Sequence, residues 1–279
     1  MIEYWRYELT PKRRLSAVAV DGVRRGALIR VNGGVADVHP WPELGDLPLD
    51  EQLALLARGE TTPLTKASLE FASLDASARR DGRSLFDGLT IPPSHWPGPD
   101  PPPDFDTVKL KSIDVIPNRV RLRIDFNATL TAEEFVQIAA TLPRERIDFI
   151  EDPCPYDAAV WRELRKRTGL RLALDRAASS SEAGSYDVLI LKPAFDEIRC
   201  TDAEVVVTSY MDHPIGQLCA AYAAATANIT STCGLITHVL FESDPFIERM
   251  RIDGTRLVPQ EGGGWGFDDL FEKLPWQKL

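Results

Sequence analysis

The chain of 279 residues is poor in cysteine, histidine and positive charge. Its four cysteines (Cys154, Cys200, Cys219 and Cys233) stand far apart with no Cys-x-x-Cys pair. That excludes a disulfide framework or a zinc knuckle and fits reduced intracellular thiols. No stretch approaches the roughly 20 apolar residues that a membrane-spanning helix needs. The first residues, Met-Ile-Glu-Tyr-Trp-Arg, lack the basic head and apolar run of a signal peptide. A soluble, cytoplasmic protein is expected. With 32 Lys+Arg against 42 Asp+Glu, the net charge is −10. A surplus of acid repels phosphate backbones and anionic lipids, so neither nucleic acid nor membrane is expected as a partner. No glycine-rich loop follows any candidate strand, which argues against a nucleotide site.

What is present is the composition of a globular protein, 44% hydrophobic and 27% charged. Proline is unevenly spread, with seven of the 21 falling between Pro92 and Pro103. Proline removes backbone donors and fixes φ, so residues 92–103 read as an extended connector through which neither helix nor central strand can run. Before it, residues 1–91 read as an α+β module. Strands are expected at 2–7, 16–20 and 27–31, a loop with two glycines and two cations at 21–26, and helices from residue 49 onward. After it, over 104–245, short apolar runs alternate with helical stretches. Strands are expected at 107–110, 120–124, 147–150, 170–174, 188–191, 205–208 and, weakly, 229–232. Helices are expected at 132–141, 158–167 and 216–227. Such alternation predicts parallel βαβ units and a (β/α) barrel, with a doubly wound open sheet as the alternative. Residues 246–279 form a C-terminal segment expected to pack back on the first module.

The chemistry stands at the C-terminal ends of those strands. In order these are Lys109 and Lys111, Asp125 with Asn127, Glu151 with Asp152, Asp175, Lys192 and Ser209. In a parallel barrel those ends share one mouth. Three carboxylates on three successive strands would converge there between lysines, and cannot all stay ionised without a compensating cation. Hard oxygen donors of that kind select Mg²⁺. A lysine partly desolvated beside a dication can act as a base near neutral pH. Any one such residue alone reads as a loop or cap residue; their joint register with consecutive strands does not.

The sequence resembles the enolase superfamily, in its muconate-lactonizing subgroup, with most likeness to the o-succinylbenzoate synthase branch. Val-Lys109-Leu-Lys111 is similar to the KxK motif, Arg123-Ile-Asp125-Phe-Asn127 to the R-x-D-x-N strand end, and Phe-Ile-Glu151-Asp-Pro to E-[EQ]-P. Ala-Leu-Asp175-Arg resembles the third-ligand loop, although Arg176 replaces the usual glutamate. Leu-Lys192-Pro resembles I-K-P, and Thr-Ser209-Tyr-Met-Asp and Cys-Gly234-Leu-Ile-Thr resemble later segments lining the substrate pocket. The likeness also covers the N-terminal third, and the 21–26 loop matches a mobile loop that closes over substrate. The resemblance implies an α/β, enolase-like fold: an N-terminal α+β capping domain plus a shortened (β/α) TIM-type barrel with some helices reduced.

It implies a Mg²⁺-dependent lyase, with Mn²⁺ as a substitute, acting on a small carboxylate. Asp125, Glu151 and Asp175 would be metal ligands, and Lys111 and Lys192 the catalytic pair. Lys109, Arg123, Asn127, Ser209 and Gly234 would bind or orient substrate. A racemase or epimerase on the same scaffold uses the same five groups, and a barrel that has lost catalysis is a further alternative. Site positions 111, 125, 151, 175 and 192 are separated by 14, 26, 24 and 17 residues. A full barrel unit takes about 30 residues, so helices after the strands bearing Lys111 and Asp175 are expected to be lost or reduced to turns. His213 and His238 read as ordinary polar positions, Trp161, Leu164 and Trp276 as packing residues, and 261–267 as a turn or a closing segment against the cap.

Overall fold

The computed structural model describes residues 1–15, 22–176, 181–199 and 201–279. The N-terminal module is an antiparallel sheet of β1 (Ile2–Leu9), β2 (Arg24–Val31) and β3 (Gly34–Val38), covered by α1 (Leu49–Ala57) and α2 (Pro63–Arg80). Thr62 caps α2 by accepting from Thr65 N, with Pro63 in the first turn, where its missing donor costs nothing. A Cβ on Gly34 would lie 2.0 Å from the carbonyl oxygen of Ala72, so glycine is what lets α2 seat on β3. The 16–20 strand lies outside the described residues, as does Asp21. The remainder of the 21–26 loop is corrected: Arg24, Arg25 and Gly26 belong to β2, paired with Leu9, Glu8 and Tyr7.

The second module is a six-stranded parallel sheet in chain order: β4 (Thr107–Leu110), β5 (Arg121–Asp125), β6 (Ile147–Glu151), β7 (Leu172–Leu174), β8 (Val188–Leu191) and β9 (Glu204–Val207). Three further parallel bridges carry the ring onward: Thr208 with Gly234, Cys233 with Ser94, and Trp96 with Val108. Cys233 N donates to Pro93 O at 2.7 Å, His95 N to Cys233 O at 2.8 Å and Lys109 N to Trp96 O at 2.8 Å. The ring therefore has eight staves. This corrects the reading of 92–103 as only a connector, since Ser94–Trp96 supplies the first stave. The final stave falls at Cys233 and Gly234 rather than at 229–232.

Helices α3 (Ala132–Ala139), α4 (Ala158–Thr168) and α5 (Pro214–Thr226) cover part of the outside. Among the described residues no helix follows β4, β7 or β8. The first two losses follow from the 14- and 17-residue separations; the third was not anticipated. Phe149, Ala173, Val188, Ile190 and Val206 fill the barrel interior. Trp161 and Leu164 pack with the outward faces of the strands, as expected.

After the last stave come the hairpin β10 (Arg251–Asp253) with β11 (Arg256–Val258), the short α6 (Asp268–Phe271) and β12 (Gln277–Lys278), which pairs with β1. The 261–267 turn inserts the fully buried Trp265, whose Nε1 donates to Val35 O at 2.7 Å. Its backbone N–H, like that of Val35, donates at 2.8 Å to the buried carboxylate of Asp75. The C-terminal segment is thus bonded onto the first module.

All four histidines are buried. Burial lowers His39 to about 3 and His238 to about 4, and holds His95 and His213 well below the ordinary value. In the unfolded chain each would take a proton near pH 6.5. Each therefore withdraws stability as pH falls below that value, by up to about 1.4 kcal/mol per pH unit, until its folded value is reached. The imidazole carbon–proton NMR signals of the native protein are expected to stay flat from pH 8 to 5. A titration step in that window would contradict the burial argument.

Candidate active site

The strand ends converge under a cavity of about 1130 Å³ between the barrel mouth and the first module. Lys109, Lys111, Asp125, Asn127, Asp175, Lys192, Ser209 and Gly234 all line it. Glu151 lies below, 1% exposed and in register with Asp125 on the neighbouring strand. Alternation along a strand explains the pattern: Lys109 and Lys111, and Arg123 and Asp125, fall two residues apart and so on one face.

Each carboxylate is engaged by a lysine. Lys109 Nζ donates to both oxygens of Glu151 at 2.6 and 2.7 Å and lies 3.2 Å from Asp125 Oδ2. Lys111 Nζ is 3.7 Å from that same oxygen, and Lys192 pairs with Asp175. Burial would raise Asp125, but Lys109 and Lys111 outweigh it and hold the acid well below the usual carboxylate range. Glu151 is pushed up to about 7 by burial and by Asp125 and Asp175, against the pull of Lys109 and Lys192. Lys109 and Lys192 are raised, since their carboxylate partners overcome burial. Lys111 alone is lowered, because burial, helped by the ammonium charges of Lys109 and Lys192, outweighs the pull of Asp125 and Glu151. Of the three lysines it releases a proton most readily.

Among the described residues, no three His, Cys, Asp or Glu side chains stand as a set that could hold a metal ion. The expectation of three carboxylates meeting at one point is corrected to that extent, because lysine ammoniums stand between them. The donor chemistry still fits a hard divalent cation: three carboxylates on adjacent strand ends, two of them buried.

Arg123 is the clearest departure. It does not line the cavity; it is 2% exposed and stacks over Phe149 at 4.6 Å. Its Nε donates to Asp148 Oδ2 at 2.8 Å and its Nη1 to Thr232 O at 2.7 Å. A bulge between β5 and β6, where Leu122 faces Ile147 and Arg123 faces Phe149, leaves Asp148 over. The arginine therefore braces the barrel rather than meeting substrate. It touches the cavity only through His95, whose Nδ1 lies 3.1 Å from Nη1. A guanidinium only donates, so Nδ1 accepts and the ring proton sits on Nε2.

Gly234 is required by the ring itself, for a Cβ there would lie 2.8 Å from Thr208 Cγ2 and 2.9 Å from His95 Cε1. Ser209 Oγ pairs with Thr237 Oγ1 at 2.7 Å. Asn127, at φ 53°, donates from its backbone N–H to Asp125 Oδ1 at 2.9 Å and so orients that carboxylate.

Several contacts at the site had no signal in the linear pattern. Tyr210 donates its hydroxyl to Asp46 Oδ2 at 3.1 Å, and its carbonyl accepts from Trp41 Nε1 at 2.8 Å. These bonds join the first module to the strand end beside Ser209 across more than 160 residues of chain. Leu44, Leu47, Val115 and Phe195, all exposed, form an apolar collar around the cavity.

Residues 2–78 match the family described as "O-succinylbenzoate synthase, N-terminal domain", and residues 86–189 match "Enolase C-terminal domain-like". A curated o-succinylbenzoate synthase of Bdellovibrio bacteriovorus is 32% identical across 100% of this chain and 98% of its own. The chain belongs to the o-succinylbenzoate synthase family of the enolase superfamily. Members of this superfamily bind Mg²⁺, and the chain is an enzyme of lyase type. A second curated o-succinylbenzoate synthase, from Thermobifida fusca, is 26% identical over 50% of this chain and 49% of its own. Among solved structures, a muconate lactonizing enzyme of Mycobacterium smegmatis complexed with muconolactone superposes at TM-score 0.78. It is 18% identical and covers 98% of each chain. A dipeptide epimerase of Enterococcus faecalis, complexed with Mg and L-Leu-L-Tyr, gives TM-score 0.75 at 15% identity, covering 95% of this chain and 98% of its own. At these identities the structural likeness establishes the fold, which is the enolase-like cap and helix-poor barrel. No described helix is long and apolar enough to cross a membrane.

Proposed function

We propose that the protein dehydrates 2-succinyl-6-hydroxy-2,4-cyclohexadiene-1-carboxylate to o-succinylbenzoate. The observation that carries this reading is the full-length likeness to the Bdellovibrio synthase, spanning cap and barrel alike. The site supports it. Asp125, Glu151 and Asp175 would hold Mg²⁺, with Mn²⁺ as a substitute, close to the ring carboxylate. When bound, the ion supplies the positive charge that favours an enediolate over the carboxylate from which it forms.

Lys111, the lysine whose ammonium is disfavoured, takes the proton from the carbon beside that carboxylate. It then returns the proton to the departing hydroxide on the same face, so water leaves and the lysine is restored. Lys192, held charged by Asp175, stabilises the developing anion electrostatically. Lys109, bonded to Glu151 and Asp125, keeps the carboxylates in place. Ser209 and Gly234 line the pocket, and the apolar collar suits the carbocyclic ring. Loss of water makes the ring aromatic, which drives the reaction forward. A cytoplasmic location accords with this small-molecule chemistry.

The test is an ultraviolet assay of the diene-to-aromatic conversion with Mg²⁺ and with EDTA. Activity is expected with the metal, and its loss on chelation should be reversed by added Mg²⁺ or Mn²⁺. The competing reading is racemisation or epimerisation of an N-acylamino acid or dipeptide, since the same two lysines would serve. Incubating the enzyme with an N-succinylamino acid in D₂O separates the two. Exchange and racemisation without synthase activity would overturn our choice.

A further inference from the structure

Every lysine at the barrel mouth faces a carboxylate, but the guanidinium of Arg176 does not. Arg176 directly follows Asp175 and lines the same cavity. Its Nη2 donates to Oδ1 of Asn127, a neutral acceptor, at 3.3 Å, and among the described residues no carboxylate pairs with it. Its backbone is fixed: the N–H groups of Asp175 and Arg176 donate to the two oxygens of Asp152 at 3.1 and 3.2 Å. Asp152 is itself 3% exposed, so the guanidinium is presented from an anchored position. Arg13 also lines the cavity without a described carboxylate, but it donates to Pro97 O and lies against Gly98. Arg123 is turned inward on Asp148.

We propose that Arg176 binds the second carboxylate of a dianionic substrate, the one on its succinyl side chain, and so sets a preference for dicarboxylates over monocarboxylates. This rests on the functional reading above. With Lys111 neutral as the base, the charges of Lys109, Lys192 and a bound Mg²⁺ are already balanced by Asp125, Glu151, Asp175 and the ring carboxylate. A second negative group brought into the cavity needs its own cation. A guanidinium meets a carboxylate through two parallel N–H bonds and gives up less hydration than an ammonium. The amide of Asn127 is a weak competitor for it.

The experiment is calorimetric binding to the Mg²⁺-loaded enzyme of o-succinylbenzoate and of 2-butanoylbenzoate, in which a methyl group replaces the tail carboxylate. Wild type, Arg176→Gln and Arg176→Lys are compared. For Arg176→Gln, binding of o-succinylbenzoate is expected to weaken by about 10- to 100-fold, and that of 2-butanoylbenzoate by no more than about 3-fold. Arg176→Lys should recover part of the loss, and the KM of the glutamine variant should rise more than its kcat falls. Equal weakening of both ligands would show a general charge effect at the carboxylate cluster and overturn the proposal, as would unchanged binding of both. Wild-type turnover of the diene is the control. If it is present, a negative result sinks only the role of Arg176; if it is absent, the functional reading fails first and this inference with it.

Discussion

Replacing Lys111 with alanine is expected to lower kcat for the dehydration by about 10³- to 10⁴-fold, the upper range for loss of a positioned proton-transfer group. The fold should survive, because the ammonium of Lys111 makes only a 3.7 Å contact with Asp125 and its side chain is about a third exposed. Affinity for o-succinylbenzoate should change by less than about tenfold, since the product carries no proton for this residue to move. The residual rate should rise on addition of a small primary amine such as methylamine, with a pH dependence that follows the amine. That last readout separates a missing base from a damaged pocket. Lys192→Ala is expected to cost about 10²- to 10³-fold with no amine rescue, as suits a charge that stabilises without transferring a proton. Activity surviving in Lys111→Ala, or equal amine rescue of both variants, would refute the assignment of roles.

The placement of the candidate site was legible because the polar residues interrupt apolar runs in register. Asp125, Glu151, Asp175 and Lys192 each end or directly follow a buried strand, so the parallel-barrel rule alone brings them to one mouth. That no helix follows β4 or β7 among the described residues accords with the spacing, because too few residues were available to turn back. The first stave was not legible. Proline forbids donation but not acceptance, and the ring needs from Pro93 only its carbonyl. The last stave was hidden for a related reason: two bridged residues, Cys233 and Gly234, are too short a run to show any periodicity. The bonds of Trp41 and Asp46 to Tyr210 join parts of the chain that no local pattern connects. Arg123 shows the limit most sharply. It was expected to bind or orient substrate, but its partner is set by a bulge that turns Asp148 toward it, and a one-residue irregularity leaves no trace in an apolar run.

That partner supports the second large expectation, on stability. Asp148 receives Arg123 Nε at 2.8 Å and Arg121 Nη2 at 2.5 Å, and Arg171 Nη1 stands at 3.4 Å. Arg121 and Arg171 are half-exposed and can turn to water, where their pairs count for little. Arg123 cannot, because its side chain and that of Asp148 are 2% and 4% exposed. Removing the carboxylate leaves a permanently charged guanidinium inside the barrel with only carbonyl, imidazole and ring partners. Breaking a buried pair from one side costs about 3–5 kcal/mol, far more than the net worth of an intact pair. Asp148→Ala is therefore expected to lose stability of that order in urea unfolding followed by circular dichroism, while Arg121→Ala stays within about 1 kcal/mol. The double replacement Asp148→Ala with Arg123→Met should recover much of the loss, since it removes the stranded charge along with its partner. Arg123 also holds His95, so the single variant should depress activity before the protein unfolds, and the double variant should regain stability without regaining that activity. A loss below about 1 kcal/mol in Asp148→Ala would mean that water reaches Arg123, and that its bonds to Thr232 and His95, not its charge pair, brace the closing staves.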